Sequence, residues 1–174
     1  MTGHLADPER REASLMARLD ALGIATRTHA HAPVFTVAEA RTQRGALPGG
    51  HTKNLFLKDK KGGLWLVVAR EDMAVDLKAL SKALGAPRFS FASPELLAAT
   101  LGVPPGSVTP FALMNDRARR VRVVLDEAML AADPLNFHPL RNDRTTAIAA
   151  RDLVAFIRAC GHEPSVLPLP DRQA

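Results

Sequence analysis

A chain of 174 residues is long enough for one compact domain with a real core and short for two. Its 47% hydrophobic and 24% charged residues match an ordinary soluble globular protein, and its single cysteine, Cys160, excludes an internal disulfide or a cysteine-based metal framework. Against 18 acidic residues stand 23 basic ones, a formal +5, which suits a polyanionic partner such as nucleic acid but fits a mildly basic protein without one as well.

Residues 1–11 carry no apolar core like that of a secretory signal, and no apolar run approaches bilayer length, so a cytoplasmic protein without membrane contact is expected. Asp7 before Pro8 opens a helix in which Leu15, Met16, Leu19 and Leu22 recur at helical spacing, and Gly23 ends it. Residues 24–30 read as a strand. Thr36 with Glu39 forms a capping box for a short second helix ending at Gly45. A loop of small residues, 45–52, leads into two apolar strands, 53–58 and 64–69, joined by the polar turn Asp59-Lys60-Lys61-Gly62-Gly63. Residues 76–84 form a helix closed by Gly85, and Ser93-Pro94-Glu95 starts another closed by Gly102.

Strands are expected at 111–114 and 121–125, with Arg117, Arg119 and Arg120 in or beside their connection. A hairpin-like pair follows at 135–140 and 145–149, then a helix over 151–160 ended by Gly161. The proline-bearing tail, 163–174, is expected to pack loosely. Hairpins outnumber strand–helix–strand crossovers. The fold class is therefore α/β, one domain over 1–174, with a mixed, largely antiparallel sheet or barrel surrounded by helices.

Several chemistries can be weighed on residue types alone. His29 and His31 alternate as two metal ligands on a strand would, yet neither His51 nor His138 completes a known spacing, so no metal is expected. Cys160 ends a helix, where the dipole disfavours a thiolate. No Gly-x-Ser-x-Gly elbow is present. Gly49-Gly50-His51-Thr52-Lys53 lacks the spacing of a nucleotide-phosphate loop and is followed by a strand. Lys53 could contact one phosphate or one carbonyl, or simply be solvated at a strand end. His138, before Pro139, could line a cavity mouth or be structural.

Three segments change that balance by occurring in order: His51-Thr-Lys53-Asn54-Leu-Phe-Leu-Lys-Asp59, Gly106-Ser107-Val-Thr-Pro110, and Phe137-His138-Pro-Leu-Arg-Asn142-Asp-Arg-Thr-Thr146-Ala-Ile148. Together, over roughly residues 15–161, the chain resembles the prolyl-tRNA editing-domain family (the YbaK/ProX group) and within it most the alanyl-tRNA(Pro) deacylase branch. The resemblance implies the family's editing-domain fold. It also implies hydrolysis of a mischarged aminoacyl ester on tRNA(Pro), helped by the neighbouring ribose hydroxyl and needing no cofactor. A missing serine or cysteine nucleophile is then expected.

By the same resemblance Lys53 is the essential lysine, anchoring the 3′ nucleotide or the developing negative charge, with Asn54 beside it. Gly106 and Pro110 belong to a loop offering backbone groups to the aminoacyl moiety, with Ser107 between them. His138 helps shape a small side-chain pocket, with Val34, Phe35 and Thr146 as candidate walls. Lys58, Lys60, Lys61, Arg141 and Arg144 are candidates for tRNA contact, each able to be merely solvated charge. The implied partners are the acceptor end of aminoacylated tRNA(Pro) and, as a further one, prolyl-tRNA synthetase. A synthetase pocket for proline excludes alanine by only roughly 1–3 kcal/mol, which a second, size-selective site would correct. Cysteine or serine as the released residue, and a non-catalytic tRNA- or synthetase-binding module, remain open alternatives.

Overall fold

Helices begin where short polar side chains can satisfy the first free amides. In the computed structural model, which describes residues 5–44 and 47–173, the Asp7 carboxylate accepts the Arg10 N–H at 2.9 Å to open α1 (Pro8–Ala21). At α2 (Val37–Arg44), Thr36 Oγ1 accepts the Glu39 N–H at 3.1 Å. Glu39 reaches back to the Phe35 N–H at 2.8 Å, one residue earlier than the expected box. Asp76 caps α3 (Leu77–Ala83) and Ser93 caps α4 (Pro94–Leu101). Ala149 cannot cap α5 (Ala150–Ala159), so Asp133 accepts the Ala150 N–H from a distant loop at 3.1 Å. Gly45, the expected end of α2, and residues 1–4 of the stretch read as lacking a secretory core lie outside the described residues.

Eight strands form one mixed sheet: β1 (Thr26–Ala30), β2 (Gly50–Asp59), β3 (Leu64–Arg70), β4 (Phe89–Phe91), β5 (Val121–Asp126), β6 (Leu135–Phe137), β7 (Arg144–Ile148) and β8 (Ser165–Leu167). Their order is β1-β7-β6-β2-β3-β5-β8, with β4 also on β2. The β1–β7, β6–β7, β2–β3 and β2–β4 pairs are antiparallel; β2–β6, β3–β5 and β5–β8 are parallel. This is the expected mixed, mostly antiparallel sheet with helices around it.

The β2–β3 turn is fixed by Asp59, whose carboxylate accepts the Lys61 and Gly63 amides at 2.8 and 2.9 Å and the Trp65 indole N–H at 3.0 Å. Both faces of β3 are covered, which is why the strand is apolar without interruption. Leu64, Leu66 and Val68 join a core with Leu15 and Leu19 of α1, Leu97 and Leu101 of α4, and Phe156 and Ile157 of α5. Trp65, Val67 and Ala69 face Leu80 of α3, Phe89 and Leu169. Among the described residues no helix is long and apolar enough to cross a membrane.

Two expectations are corrected. Residues 111–114 are not a strand: Pro110–Asn115 is a 3-10 helix, opened by Pro110 and by Thr109 Oγ1 accepting the Phe111 N–H at 3.3 Å. A short apolar run buried on all sides carries no period to separate the two states. Nor is the tail loose. β8 pairs with β5, Leu169 is buried, and its amide is held by Asp126 at 3.3 Å.

Candidate functional site

Lys53 reaches its position through the glycines before it. Gly49 has φ +98°, and a Cβ there would lie 2.3 Å from the Pro134 carbonyl, so only glycine lets β2 start this close to β6. The Gly50 N–H donates to that carbonyl at 2.8 Å, and Asn136 Nδ2 donates to the Pro48 and Gly50 carbonyls at 3.1 and 3.2 Å. The first residues of β2 thereby open onto a cavity of about 260 Å³. Lys53, Asn54, Gly106 and His138 all line it, as do Val34 and Phe35.

Burial lowers the Lys53 pKa, opposed by the negative charges of Asp171 and Asp72 and reinforced by Arg172. Its Nζ donates to the Met73 carbonyl. Asn54 Oδ1 is a buried acceptor in the cavity wall with no partner among the described residues. His138 Nδ1 lies 2.9 Å from the Arg144 carbonyl. A carbonyl can only accept, so Nδ1 carries the proton and, in the neutral ring, Nε2 is an acceptor. Burial lowers the His138 pKa, and nearby His31 lowers it further, outweighing the Arg144 hydrogen bond. A neutral, polar wall results.

The Val34–Phe35 wall is held by the β7 side. His31 N–H donates to the Asp143 carbonyl at 3.0 Å, Val34 N–H to the Asn142 carbonyl at 3.2 Å, and Asn142 Nδ2 to the Val34 carbonyl at 2.8 Å. Gly106, at φ +88°, brings its backbone under the Phe35 ring: a Cβ would sit 3.0 Å from Phe35 Cδ1. Phe35 itself stays 69% exposed at the mouth.

Other expected site residues stand elsewhere. Ser107 and Pro110 are buried behind Gly106 and do not line the cavity. Thr146 is fully buried with its hydroxyl 2.8 Å from that of Thr28; its neighbour Thr145 faces the cavity and lies 2.8 Å from His31 Nε2. Adjacent strand residues point to opposite faces, and the pairing His29↔Thr145 decides which one is inside. Lys58, Lys60 and Lys61 are exposed at the other end of β2, about 20 Å from Lys53 at strand spacing.

Arg141 is turned inward, its side chain 8% exposed, in a two-pronged pair with Asp143 at 2.5 and 2.8 Å and with Glu12 at 3.3 Å. It raises no free cation toward RNA; it ties α1 to the loop before β7. That pairing holds the Asp143 carboxyl below its usual range. Arg144 is 30% exposed and engaged with Asp143 at 3.3 Å.

Sequence reasoning missed Thr145, Glu71 and Asn136 as cavity residues and weighed His31 and His51 only as metal ligands. One ring nitrogen of each lies against a carbonyl: His31 Nδ1 at 2.8 Å from that of Ala32 and His51 Nε2 at 2.9 Å from that of Leu47. Among the described residues no three His, Cys, Asp or Glu side chains group as metal ligands would. Burial pushes the Cys160 thiol up to about 11, far from a nucleophile at neutral pH.

Residues 31–156 match the family model described as an aminoacyl-tRNA editing domain, and the chain belongs to that family. Within it the chain falls in the prolyl-tRNA editing (YbaK/ProX) group. It is 39% identical over 160 residues to prolyl-tRNA synthetase associated domain-containing protein 1 of Bos taurus, covering 89% of this chain and 93% of that one. It is 35% identical over 150 residues to the prolyl-tRNA editing protein ProX of Acetoanaerobium sticklandii, covering 86% and 92%. A solved structure described as a candidate trans-editing enzyme for prolyl tRNA synthetase superposes with a TM-score of 0.74 at 20% identity, over 95% of this chain and 99% of that one. At that identity the likeness concerns the fold alone.

Proposed function

We propose that this chain is a trans-editing deacylase, acting in the cytoplasm, that hydrolyses alanine wrongly esterified to the 3′ end of tRNA(Pro). The observation that carries this reading is the cavity of about 260 Å³ shared by Lys53, Asn54, Gly106 and His138. An aminoacyl ester is already activated, so positioning and charge stabilisation suffice for its hydrolysis. Water adds to the ester carbonyl with the neighbouring ribose hydroxyl assisting, the ester C–O bond breaks, and the departing ribose oxygen takes up a proton.

Lys53 holds the 3′-terminal phosphate or the developing oxyanion. The unpartnered Asn54 Oδ1 suits the α-ammonium of the amino acid, which has only donors to offer. Gly106 lets the loop backbone approach the aminoacyl group, with Ser107 and Pro110 fixing that loop from behind. Val34, Phe35 and His138 limit the side-chain space, admitting a methyl and turning away the proline ring. Lys58, Lys60 and Lys61 meet the acceptor stem beyond the single-stranded end, by phosphate attraction. Arg144 supplies a weaker contact of the same kind. The partners are the tRNA(Pro) acceptor end and prolyl-tRNA synthetase.

Purified protein is tested on alanyl-, cysteinyl- and seryl-tRNA(Pro), with Lys53→Ala as control. Alanine is expected to leave fastest, and the variant to fold normally and lose most activity. Faster release of cysteine would reassign the substrate. Binding of tRNA with every ester left intact would make the chain a binding module.

A further inference from the structure

The segment least legible in the sequence ends beside the residue that matters most. After β8, residues 170–172 run antiparallel to residues 74–76. The Asp76 N–H donates to the Pro170 carbonyl at 2.8 Å, Val75 bridges Asp171, and the Arg172 N–H donates to the Ala74 carbonyl at 2.8 Å. The preceding Leu169 is buried in the second core. This segment lies beyond the 31–156 region shared with the family model.

The strip it braces, residues 74–76, directly follows Met73, whose carbonyl accepts from Lys53 Nζ. The tail therefore fixes the acceptor on which the lysine rests. We propose that residues 170–172 are part of the editing site, with Asp171 a positioning residue that holds the Lys53 side chain in its seat beside the cavity. The inference rests on the role given to Lys53 above.

The charges around the amine come from three directions. Asp171 and Arg172 come from the tail and Asp72 from the loop after β3; they act in opposition, the two carboxylates favouring the ammonium and the guanidinium disfavouring it. Glu71 and His51 share the cavity wall with Lys53, His31 and His138 line it as well, and Arg70 is engaged with Asp126 at 3.2 Å. Burial disfavours the charged amine, and Asp171 is the strongest single influence in the other direction. Asp171 Oδ1 also accepts the Gln173 N–H at 2.9 Å, a turn that asparagine can keep. Asp171→Asn thus removes the charge and leaves the local geometry.

The test uses the full chain carrying 13C-labelled lysine, as wild type, Asp171→Asn and Arg172→Gln. The Lys53 signal is assigned by its absence in Lys53→Arg. Amide spectra that superpose on wild type outside the tail establish that each variant is folded. Asp171→Asn is expected to move the Lys53 titration to lower pH and Arg172→Gln to move it to higher pH, opposite displacements that general loosening of the tail would not produce. The alkaline limb of kcat/KM for alanyl-tRNA(Pro) should follow, with Asp171→Asn losing about two- to fivefold on that limb, the scale of one partly exposed charge pair. Coincident Lys53 titrations in all three proteins overturn the proposal. A displaced titration with an unmoved rate limb supports the tail's hold on Lys53 and counts instead against the catalytic use of its charge.

Discussion

Replacing Arg141 with methionine separates a structural arginine from an RNA contact. Methionine keeps the apolar stem and removes the guanidinium, whose fork binds Asp143 at 2.5 and 2.8 Å and Glu12 at 3.3 Å. Removing one partner of a fully buried ion pair costs about 3–5 kcal/mol, because the other charge is stranded. Here Asp143 and Glu12 keep 26% and 22% exposure, so water recovers part of their solvation. Arg11, whose pKa is lowered mainly by burial and then by the charge of Arg141, is relieved of that repulsion in the variant. About half the full penalty, roughly 2 kcal/mol, is the expected loss. For a chain of this length that is a fall in Tm of about 4–8 °C. Urea unfolding should show a lower midpoint with an unchanged slope. If Arg141 instead served RNA, stability would stay within about 0.5 kcal/mol. The salt dependence of tRNA binding would then become shallower by about one unit of slope. That second pattern would refute the structural reading.

Burial keeps His138 neutral in the fold, while in the unfolded chain it titrates near 6.5. As pH falls through that value the unfolded chain takes up a proton that the folded one resists, so stability declines until the folded value is reached. His138→Gln should flatten the urea midpoint between about pH 7 and pH 5, and parallel curves for the two proteins would contradict this. Gly106→Ala forces a side chain into φ +88° and against Phe35; a loss of about 1–2 kcal/mol together with reduced kcat/KM is expected, and unaltered stability would contradict it. Thr146→Val should lower stability by about 1 kcal/mol without touching deacylation. Thr145→Val should instead alter the ratio of serine to alanine release, and an exchange of the two effects on deacylation would show the β7 register to be misassigned.

The parts legible in the sequence are those set by neighbours along the chain. Asp7, Asp76 and Ser93 announce helix starts because a cap acts within three residues, and residues 53–69 announce a hairpin because two apolar runs and the polar turn between them are local. The ordered resemblance around Lys53, Gly106 and His138 supplied three residues that the fold brings to one cavity. What stayed hidden depends on partners far away in sequence. Arg141 meets Glu12 across 129 positions, which no local pattern signals. Thr145 and Thr146 are equivalent until pairing with β1 fixes which one faces the cavity. Residues 165–167 are too short to read as a strand and become one only beside β5. The remoteness of Lys60 and Lys61 from Lys53 was readable, since a hairpin turn lies a full strand length from the strand's start.

The most direct test of the account is single-turnover release of alanine and of proline from tRNA(Pro) by the same wild-type protein, with spontaneous hydrolysis subtracted. A cavity that admits a methyl and turns away the pyrrolidine ring predicts rapid loss of alanine while the prolyl ester decays no faster than without protein. Equal acceleration of both esters would contradict selection by size beside Lys53.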